Sequence, residues 1–236
     1  MRILLCALAA SVPLHAAVTE ERVTHAGVNF RVVRIEPGKV RLVWKNPAGV
    51  AYRGFAEVQA AMAKEGTSVA FLMNAGIYEP GGIPSGLHIE GGKPIRPLNL
   101  ADAPGNFFLK PNGVCAFGGA AFIGTTDAWQ KHGGNVSWAI QSGPMLLIDG
   151  KRHPAFREGS DSKLHRNGVG LDGRKRLVFA ITDREQMVNL WDFAGLFLKL
   201  GCRNALFLDG NISQMEVNPR QPVESDRFGA MFVVTE

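Results

Sequence analysis

Polar and apolar residues alternate along residues 30–35 and again along 40–44, the two-residue period of strands with one buried face, and Pro37-Gly38 between them predicts an opening hairpin. The period then lengthens. Between Gly54 and Lys64, Phe55, Val58, Ala61 and Met62 fall at helical spacing, and Gly66 ends the run. Residues 69–73 are continuously apolar, as a buried strand is, and they lead into Asn74-Ala75-Gly76-Ile77-Tyr78. Glycine and proline exclude regular structure from 79 to 86. Short strands are expected at 87–90, 107–109, 114–117 and 120–124. Residues 138–141 run into Ser142-Gly143-Pro144, and 145–148 end in the hairpin turn Asp149-Gly150. A further hairpin joins 169–171 to 177–182 across Asp172-Gly173. Leu190, Phe193, Ala194, Phe197 and Leu198 make a helical face within 189–200, stopped by Gly201, and the strand 205–208 follows at once.

Strands outnumber helices in this reading, and the regular strand–helix alternation of a doubly wound parallel sheet is missing. The pattern predicts an α+β fold, a single domain with a mixed, largely antiparallel sheet and few helices.

The N-terminus changes that picture only at its edge. One positive charge, an apolar run and the small residues Ala16 and Ala17 read as a secretory signal peptide over residues 1–17, leaving 18–236 as the domain. The expected location is periplasmic or secreted, with no stable membrane anchor, since no later stretch is long and apolar enough to span a bilayer. The formal charge of +5 becomes +4 once Arg2 is removed, a mild excess that suits an anionic substrate. The densest basic patch, Arg174-Lys175-Arg176, sits at a hairpin tip and is too small a footprint for nucleic acid. Cys115 and Cys202 stay behind, and both a disulfide and two buried thiols remain open.

Several strands end in polar turns of one kind: Asn74 to Tyr78, Gln141-Ser142-Gly143, His165-Arg166-Asn167, and Asp209-Gly210-Asn211-Ile212-Ser213. Each sets amide, hydroxyl, guanidinium or carboxylate groups beside glycines that let a ligand approach the backbone. Converging, they would form a polar pocket suited to a phosphorylated or sugar ligand. Other chemistries lack their signatures. Gly-x-Ser-x-Gly is absent, as are CxxC, HExxH and EF-hand spacings. No cofactor is expected; a divalent metal is left open. His165 is the one histidine beside these residues, and a lone histidine is more often a hydrogen-bonded structural residue than a catalyst.

Six stretches in order carry a more specific signal. Asn74-Ala75-Gly76-Ile77-Tyr78, Pro84-Ser85-Gly86-Leu87, the run from Gly105-Asn106-Phe107 through Lys110-Pro111-Asn112-Gly113-Val114, Gln141-Ser142-Gly143-Pro144, Arg166-Asn167-Gly168-Val169-Gly170 and Leu208-Asp209-Gly210-Asn211-Ile212-Ser213 together resemble the phosphodiester glycosidase family, over roughly residues 70–235. The likeness is to its small secreted or periplasmic bacterial branch. It implies hydrolysis of the bond between an anomeric sugar carbon and a phosphodiester oxygen, freeing the sugar and leaving a phosphomonoester. The eukaryotic pattern has a further glycine where this chain has Asn211, so the substrate sugar does not carry over. On this reading Arg166 holds the phosphate, and Asp209 serves the anomeric carbon as base or nucleophile. Asn74, Tyr78, Ser85, Asn112, Ser142, Gly143, Gly210, Asn211 and Ser213 are the candidate substrate-binding residues. A competing reading makes the same pocket a non-catalytic glycan-binding or envelope-maintenance module, with Tyr78, Trp138 and Trp191 as stacking aromatics.

Overall fold

The apolar strands assemble into three antiparallel sheets and one two-residue hairpin. The computed structural model describes residues 18–132 and 135–236; the expected signal peptide, 1–17, lies outside the described residues. A seven-stranded sheet runs in the order Glu20–His25, Val28–Ile35, Leu177–Thr182, Asn167–Asp172, Cys202–Asp209, Met145–Ile148, Lys151–Arg152. A four-stranded sheet runs Met215–Val217, Val69–Asn74, Met231–Thr235, Arg41–Val43, and a five-stranded sheet runs Phe122–Thr125, Gly113–Phe117, Trp138–Ser142, His88–Glu90, Lys93–Arg96. Every strand pairing among the described residues is antiparallel, in keeping with an α+β fold of largely antiparallel sheet, and none makes a sheet mixed. No helix among them is long and apolar enough to cross a membrane.

Alternation decides which residues meet between layers. Val33, Val169, Phe179, Leu206 and Leu208 turn one face of the seven-stranded sheet toward Phe71, Met73 and Phe232 of the four-stranded sheet. Phe179 sits at the centre of that core, its ring 4.9 Å from Phe71 and 5.0 Å from Phe232. The opposite face, through Phe30, Ala180, Ala205 and Phe207, is covered by the helix Leu190–Lys199 with its apolar stripe Phe193, Ala194 and Phe197. Asn189 caps that helix, its side-chain oxygen accepting the Asp192 N–H at 2.8 Å. The helix Phe55–Lys64 buries Phe55, Val58 and Met62 against the outer face of the four-stranded sheet.

Three expectations change. Within 79–86, expected to be irregular, Ile83–Pro84 pairs with Tyr78–Glu79 as the two-residue antiparallel hairpin. The opening hairpin is displaced: Val28–Ile35 pairs with Glu20–His25 across Ala26-Gly27, while Arg41–Val43 belongs to the other sheet. Pro37–Lys39 forms a 3-10 turn instead of a tight hairpin turn and carries the chain between layers. Residues 107–109 are not a strand; Asn106–Phe108 is another 3-10 turn that buries Phe107, too short for a period to declare itself. Cys115 and Cys202 are unbridged buried thiols in different core layers, and burial raises the pKa of each.

Candidate active site

Strict alternation along Cys202–Asp209 would send Asp209 to the same side as Phe207, under the helix. The register prevents it. Asn167 pairs with Asp209, yet the next residue, Gly168, pairs with Phe207, so Cys202–Asp209 carries an extra residue there. Gly168 faces the helix, where an added Cβ would lie 3.2 Å from the Phe193 ring. Asn167, its neighbour, faces the other way, and the bulge brings Asp209 onto that face with it. The carboxylate therefore emerges between the two sheets, at the end of Val69–Asn74.

There the Asp209 Oδ2 accepts from Asn74 Nδ2 at 2.9 Å, and Oδ1 accepts the Gly210 N–H at 2.8 Å. Asn74 has no freedom to flip. Its Oδ1 accepts from Asn167 Nδ2 at 2.8 Å and from the Gln214 N–H at 3.0 Å, which leaves the amide nitrogen for Asp209. Both donors to the carboxylate are neutral, and among the described residues no Lys or Arg lies within 4.0 Å of it. Burial accordingly pushes the Asp209 carboxyl up from 3.8 to about 6, against the smaller downward pull of the Gly210 and Asn74 hydrogen bonds.

Ser142 stands beside this network, its hydroxyl donating to the Leu208 carbonyl at 3.2 Å. Gly76 (φ 128°) passes so close that an added Cβ would be 3.1 Å from Ser142 Oγ, so both conformation and space require glycine there. Asn211 and Ser213 line a neighbouring cleft of about 380 Å3 together with His165 and Asp226. His165 is committed on both ring nitrogens, Nε2 at 2.9 Å from the Ser213 carbonyl and Nδ1 at 2.6 Å from Thr182 Oγ1. A carbonyl only accepts, so Nε2 carries a proton, and burial lowers the pKa of the ring. It is a strut beneath the Ser213 turn. Tyr78 donates its hydroxyl to the Arg227 carbonyl and lies with its ring beneath the Arg53 guanidinium.

Other candidates serve the surrounding loops. Ser85 donates to Glu79 Oε1 at 2.9 Å. Asn112 satisfies both ends of its amide within the fold, donating to the Phe107 carbonyl at 2.9 Å and accepting from Thr126 Oγ1 at 3.2 Å. Gly143 lets the chain pass Asn112, whose Cβ would be 2.6 Å from an added one.

Arg166 departs most from its expected role. Pairing with Thr182, it shares the helix-facing side with Gly168, and its fully buried guanidinium lies 5.4 Å from the Phe207 ring centroid. Nε donates to the Val188 carbonyl at 2.8 Å and Nη2 to the Ser162 carbonyl at 3.1 Å, while burial lowers its pKa to about 10. The structure thus separates it from Asp209 by the thickness of the sheet. Lysine cannot span both carbonyls, so Arg166→Lys should cost about 1–3 kcal/mol of stability, by leaving a buried acceptor unmade. Urea unfolding checks the first effect. Turnover per folded molecule should stay within a few-fold, and an intact fold with lost turnover would return Arg166 to the substrate.

Two participants escaped the sequence reading. Asn167 sits within a quoted motif yet only the pairing register reveals that it supports Asn74; Gln214 contributes a backbone N–H, which no side-chain pattern encodes. Among the described residues no group of three or more His, Cys, Asp or Glu is placed to hold a metal ion.

The chain is 36% identical over 190 residues to the Escherichia coli (strain K12) protein YigE, itself uncharacterized, covering 80% of this chain and 73% of that one. Its fold matches the zebrafish N-acetylglucosamine-1-phosphodiester alpha-N-acetylglucosaminidase catalytic domain, auto-inhibited by its pro-peptide, with a TM-score of 0.65 and 15% identity over 93% of this chain and 82% of that one. A hypothetical protein from Synechocystis matches with a TM-score of 0.60 and 13% identity, over 92% of this chain and 61% of its own. Residues 67–231, which hold Asn74, Asn167 and Asp209, match the family model for phosphodiester glycosidases, and the chain belongs to that family.

Proposed function

We propose that this protein is an exported hydrolase that cleaves the glycosidic bond of a sugar-1-phosphodiester, with Asp209 as the base on the anomeric side. The observation that carries the reading is the Asp209 carboxyl itself. It is lifted by burial to about 6 and fixed by two neutral donors, a short way along the chain from Asn211 and Ser213, which line a polar cleft. A general base works best with a pKa near the operating pH, and this one is ionised at neutrality while still able to take a proton.

In the proposed step, Asp209 removes a proton from water as the water oxygen bonds to the anomeric carbon. The carbon–oxygen bond to phosphate breaks, and its electron pair leaves with the phosphate oxygen. The products are a free sugar and a phosphomonoester. Glycosidases with poor leaving groups need a second carboxyl group as acid. A phosphate leaves without that help, so one carboxylate suffices here. Asn211, Ser213, Ser142 and Tyr78 are the groups proposed to hold the sugar.

The pH dependence follows from the sign of the shift. The base acts only when ionised, so kcat/KM should be level above about pH 7 and fall tenfold per unit as pH drops below about 6. A profile of sugar release between pH 4 and 8 checks this; an acid limb near pH 4 would mean that the titrating group is not a buried carboxyl. Binding of the diester with no release at any pH would favour the glycan-binding module instead.

A further inference from the structure

Arg53 precedes every motif of the sequence analysis, and the mechanism leaves it unused. Its backbone is left-handed, with φ 67°, a conformation that residues with a side chain seldom adopt without a reason in their surroundings. Its guanidinium lies 5.2 Å from the Tyr78 ring centroid. Gly82 makes the space: an added Cβ there would overlap Arg53 Nη1 and sit 2.9 Å from the Phe228 carbonyl. Nη1 is sealed in with no hydrogen-bond partner. Among the described residues no carboxylate lies within 4.0 Å of the guanidinium, and its side-chain hydrogen-bond partner is the Tyr78 hydroxyl.

Arg53 lines a cleft of about 280 Å3 together with Glu57, Ser225, Asp226 and Arg227. Asp226 also lines the cleft that holds Asn211 and Ser213, so the two join at one wall. The Tyr78 hydroxyl feels the charges of both Arg53 and Asp209. Burial raises its hydroxyl pKa first of all; after that the Arg53 charge lowers it and the Asp209 charge raises it.

We infer that Arg53 is the residue that binds the phosphate of the substrate, offering its guanidinium to two phosphoryl oxygens from the platform of Tyr78 and Gly82. The inference rests on the function proposed above. It gives the departing phosphate the planar, two-pronged partner that Arg166, beneath the sheet, does not supply. Glu57, Glu224 and Asp226 make the cleft no general trap for anions. Recognition depends on the fork rather than on charge, and lysine should not replace it.

The test measures inorganic phosphate binding by calorimetry for the wild type, Arg53→Lys, Arg53→Gly and Arg227→Gln, beside sugar release from a sugar-1-phosphodiester. Arg53→Gly relieves the left-handed backbone and should fold; Arg53→Lys keeps the charge should it not. Both Arg53 variants should bind phosphate about 10-fold or more weakly, the loss of charge-assisted hydrogen bonds. Arg227→Gln, on the same cleft, should change affinity less than about threefold. Absence of phosphate binding by the wild type, unchanged affinity in the Arg53 variants, or an equal loss in Arg227→Gln would each overturn the inference. Phosphate binding that depends on Arg53 without any sugar release would sustain it and instead remove the proposed hydrolysis.

Discussion

Asp209→Asn is expected to lower sugar release about 10²- to 10⁴-fold and, at the same time, to make the fold more stable above pH 6. The two effects share one cause. The carboxyl has a higher pKa in the folded chain, about 6, than its ordinary value of 3.8. The folded state therefore holds the proton more tightly, and stability is lost as pH rises between those values. Above pH 6 the ionised carboxylate penalises folding by up to about 3 kcal/mol. Asparagine carries no such penalty, although its NH2 group faces one of the two donors now received from Asn74 and Gly210, at a cost of about 1 kcal/mol. A net gain of about 1–2 kcal/mol at pH 8, vanishing near pH 4, is the expected outcome of urea unfolding at the two pH values. A variant less stable than the wild type at pH 8 would show that the carboxylate contributes to folding rather than to catalysis.

The second large effect belongs to Asn74. Alanine there removes the donor to Asp209 and leaves the Gln214 N–H and one Asn167 donor without their acceptor. Buried donors left unmade cost about 1–3 kcal/mol each; Asn167 Nδ2 keeps the Asn74 backbone carbonyl at 3.2 Å, so the lower end applies to it. A destabilisation of about 2–4 kcal/mol is expected, with turnover per folded molecule reduced about 10²-fold as the carboxylate loses its orientation. Asn74→Asp separates the two roles. It restores the acceptor for Asn167 and Gln214 but sets a second carboxylate against Asp209, and like charges raise the pKa of one partner. The acid limb of the pH profile should therefore move to higher pH in both variants, slightly in Asn74→Ala, which loses the hydrogen bond that lowers the Asp209 pKa, and further in Asn74→Asp. Identical profiles would detach Asn74 from the titrating group.

The outline of this site is legible in the sequence because strand ends announce themselves. An apolar run that stops at Asn74, and another that stops at Asp209-Gly210, place polar side chains at the rim of a sheet without knowledge of their partners. What the chain hides is non-local. Nothing in Phe207-Leu208-Asp209 marks a bulge; the extra residue exists only relative to Asn167 and Gly168 on the neighbouring strand. The same holds for the opening strands. Alternation makes 30–35 a strand, yet its partner at Leu177–Thr182 lies far along the chain and outweighs the local Pro37-Gly38 turn. Arg166 illustrates the cost of reading a turn without its faces. One step before Asn167, it must point the other way, toward Phe207 and Val188. Arg53 gave no sign at all, since its position depends on Gly82 and Tyr78, which the fold alone brings to it.

The reaction class turns on which bond is broken. Hydrolysis of a sugar-1-phosphodiester in 18O-labelled water, read by phosphorus NMR and mass spectrometry of the products, decides it. Attack at the anomeric carbon puts the label in the free sugar and leaves the phosphomonoester unlabelled, and that is the predicted result. Label in the phosphomonoester would mean attack at phosphorus, and Asp209 would then serve a phosphodiesterase rather than a glycosidase.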